Sequence, residues 1–369
     1  MRWGHAVYLF GGLASGCSPS GVRITYGGDA ATQDGSASAS TSGGDGGGAP
    51  ETGGGGGGDG AAGSSGGGSG SGSGGNGCTL VTSGGGDAGV VTLASGQSGP
   101  IGIAVDLQNV YWTDETSGTV LSVPLDGGAV TTLALGQDGP YGIAVDSSYV
   151  YWTNVGAGTV ALVPLDGGTP VVLASTQTQP TGIAVSGGTV YFTNYDGDSV
   201  MSAPVDAGGP MTFAAGQAQP SAIAVDTASV YWLDQGSGAV MTAPLAGGSP
   251  TMLAGGQSSP RGVAADPTSV YWTDEGDAGS IVKAPLDGGS PSALAPATLP
   301  WAIAVDDASV YWTDLGAGTV MKVALAGGTP ATIASGQACP QAIAVDATSV
   351  YWTNIGQGSG AGTVMKAAK

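Results

Sequence analysis

Histidine is almost missing from this chain: there is one in 369 residues, His5. Everything after it must do without the commonest general base and the commonest metal ligand at neutral pH. Cations are scarce as well. Seven Lys and Arg stand against 27 Asp and Glu, a formal charge of −20, which excludes nucleic-acid backbones as partners. The three cysteines show no ligand spacing of the kind a structural zinc needs. No run approaches the ~18 apolar residues of a membrane span, so the chain reaches a membrane only through an attached lipid.

What is abundant is repetition. Tyr-Trp-Thr-Asp or a close variant starts at Tyr111, Tyr151, Tyr191, Tyr231, Tyr271, Tyr311 and Tyr351, a constant spacing of forty residues. A period of about 40 to 45 residues with short β-branched and aromatic runs marks the blade of a β-propeller. The expected fold is therefore all-β, a seven-bladed propeller of four-stranded antiparallel blades. In blade one the turn chemistry places strand A at Ile101 to Asp106, B at Val110 to Asp114, C at Thr119 to Leu125 and D at Val130 to Leu135. Ala104 is matched by Ala in all six other copies, as a crowded axis requires.

The seventh copy runs out after Gly362-Thr363-Val364-Met365-Lys366, one strand short. Val90 to Gln97 reads like Ala331 to Gln337, so residues near 89 to 96 are expected to complete the last blade. That closure leaves no open edge in the ring.

Tyr-Trp-Thr-Asp, a short loop, a β-branched residue and Pro-Leu-Asp-Gly-Gly, as in Tyr111 to Gly128, resemble the YWTD repeat of the low-density-lipoprotein-receptor class B type. The resemblance covers roughly residues 89 to 369. It implies an extracellular binding module without catalytic residues. This chain departs from the family pattern in having seven blades where six are usual, and in lacking flanking cysteine-rich modules.

Ahead of the ring, Met1-Arg2, the apolar run Ala6 to Leu13 and Ala14-Ser15-Gly16 precede Cys17. This resembles a bacterial lipoprotein signal over residues 1-17 with Cys17 as the lipidated residue, although Ala14 stands where such signals usually carry Leu. Ordinary cleavage and secretion is the alternative. Residues 18-77 are mostly Gly, Ser, Ala and Asp and read as a tether; a flexible chain of roughly 60 residues spans about 45 Å. Residues 78-369 then form the propeller, displayed on a bacterial outer membrane or cell surface. With Cys17 lipidated, Cys78 and Cys339 remain as a pair that a disulfide would join, pinning the closure.

Positions that build blades repeat, whereas positions that touch a ligand need not. The residue after each blade-opening proline changes every time: Ile101, Tyr141, Thr181, Ser221, Arg261, Trp301, Gln341. These seven are the candidate ligand ring, at the face where B-to-C and D-to-A loops emerge, against the alternative of drift at an exposed rim. Tyr111 and Trp112 with their equivalents read as packing between blades. The Gln three residues before each proline reads as a loop anchor, and Ala297 breaks that series. Asn194, Asp196 and Asp198 place oxygens at alternate loop positions, as Ca²⁺ prefers, but Val205 stands where an EF-hand has its last glutamate. Solvated turn carboxylates are the alternative, and no other cofactor is implied.

Seven-bladed lyases that the ring resembles in outline use histidine, which the exported chain lacks. The expectation is accordingly a monomeric, surface-tethered, non-catalytic module for a protein, peptide or glycan. A structural envelope protein and a carboxylate-dependent hydrolase or lyase are the alternatives. Labelled palmitate is expected to enter the protein, and Cys17→Ser to abolish the labelling.

Overall fold

The computed structural model describes residues 89–369 other than 207, 277, 287, 288 and 359. His5, Cys17, the tether and Cys78 lie outside the described residues. Within them the chain forms 28 strands, arranged as seven four-stranded sheets. All pairings are antiparallel, from strand A at the axis to strand D at the rim, as the forty-residue period requires. In blade one the strands are Pro100–Val105, Asn109–Asp114, Thr119–Pro124 and Thr131–Ala134. Strand D is shorter than its apolar run, since Val130 and Leu135 are exposed on the rim, where the strand has only one neighbour.

The closure is the expected one. Val91–Gln97 pairs with Gly362–Ala368, from Val91 opposite Lys366 to Gln97 opposite Gly362, and supplies the outermost strand of blade seven.

Each letter of the repeated tetrapeptide has a separate hydrogen-bonding task. Tyr111 Oη donates to Asp106 Oδ2 at 2.9 Å, while Asp106 Oδ1 accepts the main-chain N–H groups of Gln108 and Asn109. The tyrosine thereby holds the A-to-B turn. Trp112 Nε1 donates to Gln97 Oε1 at 2.9 Å, and that amide in turn donates to the Ser95 carbonyl, so the indole holds the D-to-A loop. Asp114 accepts the N–H groups of Ser98, Gly99 and Ser117, tying the two loops of that face together.

Threonine joins blade to blade. In every blade strand A carries one extra residue, a bulge, between the proline and the first core isoleucine or valine. A bulge interrupts the ladder, and Thr113 Oγ1 fills the gap by accepting from Gly102 N at 3.0 Å. The same hydroxyl donates to the Tyr141 carbonyl of the next blade at 2.6 Å. The link recurs at Thr153, Thr193, Thr273 and Thr313, and Thr353 closes the circle on the Ile101 carbonyl at 3.1 Å. Blade four has Leu233 instead; there Ser221 Oγ donates to the Leu233 carbonyl and Gln235 Nε2 reaches the Pro260 carbonyl at 3.1 Å.

The six Trp of the repeats and Phe192 are fully buried between blades, with the Tyr beside them. Such side chains supply most of the apolar burial. Thr313→Val keeps the volume but orphans the Ala302 N–H and the Gln341 carbonyl, both buried. It is expected to cost about 2–4 kcal/mol in urea unfolding, whereas Thr332→Val on the exposed rim should stay within about 0.5 kcal/mol.

Candidate functional site

The D-to-A and B-to-C loops meet on one face in every blade. The first residue after the tetrapeptide donates its N–H to the residue before the blade-opening proline: Glu115 to Gly99, Val155 to Gly139, Tyr195 to Gln179, Gln235 to Gln219, Glu275 to Ser259, Leu315 to Leu299 and Ile355 to Cys339. These bonds set two concentric rings of side chains around the axis.

The inner ring is the one expected to touch a ligand. Ile101, Tyr141, Thr181, Ser221, Trp301 and Gln341 are all buried, and Arg261 alone keeps a part-exposed side chain. The bulge explains this: it makes each of these residues part of the blade contact, and six of the seven carbonyls accept the threonine links. Variation at these positions is therefore largely variation in packing. A second ring, Glu115, Val155, Tyr195, Gln235, Glu275, Leu315 and Ile355, reaches solvent in blades one to five and is buried in blades six and seven. It also varies around the ring, with Glu recurring only in blades one and five, so the signal was present in the sequence one position beyond each tetrapeptide.

This second ring is divided by chemistry. Leu315 and Ile355 are buried apolar groups next to Trp301 and Gln341 in blades six and seven; Tyr195, Gln235 and Glu275 make blades three to five polar. In the polar arc Arg261 Nε donates to Glu275 Oε2 at 2.5 Å. The guanidinium carbon lies 4.9 Å from the centre of the Trp301 ring, a stacked cation held in place from two sides. Ser259 Oγ also approaches Glu275 Oε2, at 3.5 Å. Burial raises the Tyr195 phenol, Arg261 opposes the rise and Asp196 adds to it.

Two carboxyl groups hold their protons more tightly than an ordinary carboxylate does. Glu115 is exposed, yet the surrounding wall desolvates its carboxylate and Asp114 repels it, so its proton affinity is raised. Asp234 is buried and pushed up to about 6, first by desolvation and then by Asp198, against hydrogen bonds from Ala218 N and Trp232. Its Oδ1 is buried without a partner. The cause is local: the Gln219 N–H, which would match the Gly99 donor of blade one, goes to Asp198 Oδ1 at 3.2 Å instead.

Blade six is irregular, as Ala297 foretells. Trp312 Nε1 has lost its glutamine acceptor, and Trp301 Nε1 is also buried without a partner. At the loop considered for Ca²⁺, Asn194 Nδ2 donates to Gln177 Oε1 at 2.9 Å and Asp198 serves Gln219. Among the described residues no group of three His, Cys, Asp or Glu side chains converges on one point. Cys339 is disulfide-bonded, with its partner outside the described residues.

No family model matches the chain, and no curated protein matches it in sequence. Solved structures do. It is similar to a virginiamycin B lyase from Staphylococcus aureus, with a TM-score of 0.64 and 18% identity over 75% of this chain and 98% of that one. A streptogramin B lyase gives 0.65 and 16% over 76% and 97%. A gluconolactonase from Xanthomonas campestris gives 0.50 and 17% over 76% and 89%. At such identities the likeness is one of fold, a seven-bladed propeller. It nonetheless overturns the expectation of a non-catalytic binding module: these rings, matched over nearly their whole length, are enzymes. The tetrapeptide that suggested a binding family is accounted for by blade construction, which any function can share.

Because Asp234 binds its proton more tightly in the folded chain, its favourable contribution is complete below about pH 4 and is lost as pH rises through about 6. Asp234→Asn is expected to remove that slope from a stability-versus-pH series and to stabilise the ring at pH 7 by about 1–3 kcal/mol.

Proposed function

We propose that this chain is a propeller enzyme, a hydrolase or lyase that uses carboxyl groups for proton transfer on the face formed by the B-to-C and D-to-A loops. The observation that carries the reading is Glu115, a solvent-reached carboxylate of raised proton affinity on the same face as the Arg261–Glu275 pair. No histidine occurs between residues 89 and 369, so carboxylates are the acid–base groups available. A carboxylate whose proton affinity moves towards neutrality is a better general base and acid. A guanidinium fixed by Glu275 and stacked on Trp301 is a ready donor to an oxygen on which negative charge develops.

The likeness in fold to the lyases and to the gluconolactonase supports an enzymatic ring and supplies the first substrates to try. Kinship with the YWTD-repeat propellers, lipid attachment at Cys17 and display on a bacterial surface complete the proposal. They rest on the tetrapeptide, on the Ala14-Ser15-Gly16-Cys17 sequence and on the Gly/Ser-rich stretch after it.

The test is turnover of virginiamycin B, a streptogramin B and gluconolactone by the full chain and two variants. Glu115→Gln is expected to lower kcat by about 10²–10⁴ with an unchanged Tm, and Arg261→Met to raise KM. If Glu115 acts as base, kcat/KM falls as pH drops through its raised pKa. Turnover indifferent to Glu115→Gln, or absent on all three substrates, would overturn this reading.

A further inference from the structure

On the opposite face, where the A-to-B and C-to-D turns lie, three of the scarce lysines sit in equivalent slots between blades. Lys283 Nζ lies 5.4 Å from the centre of the Tyr271 ring and donates to the Leu325 carbonyl of the next blade at 3.2 Å. Lys366 Nζ lies 5.7 Å from the Tyr351 ring and donates to the Leu125 carbonyl at 2.9 Å. Between blades six and seven the ammonium comes from the other side. Lys369 holds the turn position that Leu325 and Leu125 hold elsewhere, and its Nζ pairs with Asp306 Oδ2 over the Tyr311 ring at 5.3 Å. Each slot thus offers a tyrosine face, the aspartate bonded to that tyrosine and a turn at the edge of the next blade.

Blade four has the slot without the lysine. Thr242 stands opposite Tyr231, as Lys283 stands opposite Tyr271 and Lys366 opposite Tyr351. Tyr231 Oη donates to Asp226 Oδ2 at 3.0 Å, and Leu286 N bonds the Thr268 carbonyl as Leu325 N bonds Ala308. An open cleft of about 290 Å³ remains, walled by Tyr231, Asp226, Thr242, Leu253, Pro267 and Leu286. The corresponding slots of the first three blades are lined differently. In blade one the Asn109 amide donates to Tyr111 Oη; in blade two Leu162 is buried at the lysine position; in blade three Ser186 replaces the aspartate.

We propose that the cleft between blades four and five is a binding site for a primary alkylammonium group. The ammonium would sit over Tyr231, paired with Asp226 and within reach of the Leu286 carbonyl, with its alkyl stem against Thr242 and Leu253. Aromatic face, carboxylate and carbonyl together recognise a cation that donates hydrogen bonds. The chemistry is the same whether the group is carried by a free amine or by a lysine side chain. This site is independent of the proposed enzyme site.

Thermal unfolding and calorimetry of the full chain test it, with n-pentylamine, n-pentanol and an Nα-acetyl-lysine amide as probes. At about 10 mM, pentylamine is expected to raise Tm by about 2 °C, and the uncharged alcohol to leave it unchanged. A matching response to the lysine amide would extend the site to polypeptide lysines; a response to pentylamine alone would restrict it to free amines. Thr242→Lys is expected to place an ammonium in the slot, raise the Tm of the unliganded chain and abolish the amine response. Thr242→Met, which fills the cleft without charge, should abolish the response as well and serves if the lysine variant fails to fold. Equal responses to amine and alcohol, or an amine response that survives in the folded variants, would overturn the proposal.

Discussion

The architecture depends on one hydroxyl placed at one defect. A bulge in strand A breaks each blade's innermost ladder near the axis, where little water is available to repair it. The threonine of the tetrapeptide repairs it from within and uses the same oxygen to grip the neighbouring blade. Intrablade pairing and interblade registry are thereby coupled: a blade that loses its register also loses its neighbour. An unpaired buried donor or acceptor costs more than a satisfied pair gains, so the six links act mainly by making every other arrangement expensive. Blade four, with Leu233, is released from this coupling and is held by serine and glutamine side chains instead.

Much of the fold was legible because it rests on chemistry that repeats. Tyrosine, tryptophan, threonine and aspartate at fixed spacing announce the blade, and the resemblance of Val90–Gln97 to later outer strands announces the closure. The site was less legible for a related reason. Ile101 and its equivalents vary from blade to blade, but the bulge turns those residues into blade contacts, and a bulge has no signature in an alternating apolar run. The informative variation lay at Glu115, Tyr195, Gln235 and Glu275, where the side chains meet solvent. The tetrapeptide says little about function, because its four side chains are occupied in building the blade.

The acidity of the chain takes on meaning once the few cations are located. Lys283, Lys366 and Lys369 lie on tyrosine rings between blades, and Arg261 lies on Trp301 at the loop face. Each of these four positive charges is stacked on an aromatic ring, and two of them are also paired with a carboxylate. These four cations serve as fixed structural charges. Large apolar side chains do reach solvent on outer strands, among them Val171, Val172, Met211 and Met252 in blades two to four.

The closing strand bears on how the molecule comes into being. Val91 and Lys366 are partners in one ladder, and Lys366 also grips Leu125 of blade one, so the last contacts join segments made at opposite ends of synthesis. A chain that emerges amino end first must keep Val91–Gln97 waiting while six blades assemble, each able to pair with its neighbour as it appears. Loop-closure entropy makes such distant contacts slow to form. Until they form the ring is open, with an unpaired strand at one end and an incomplete blade at the other. While the ring is open, that strand and that blade each present an unpaired edge, the kind of edge that can pair with another chain.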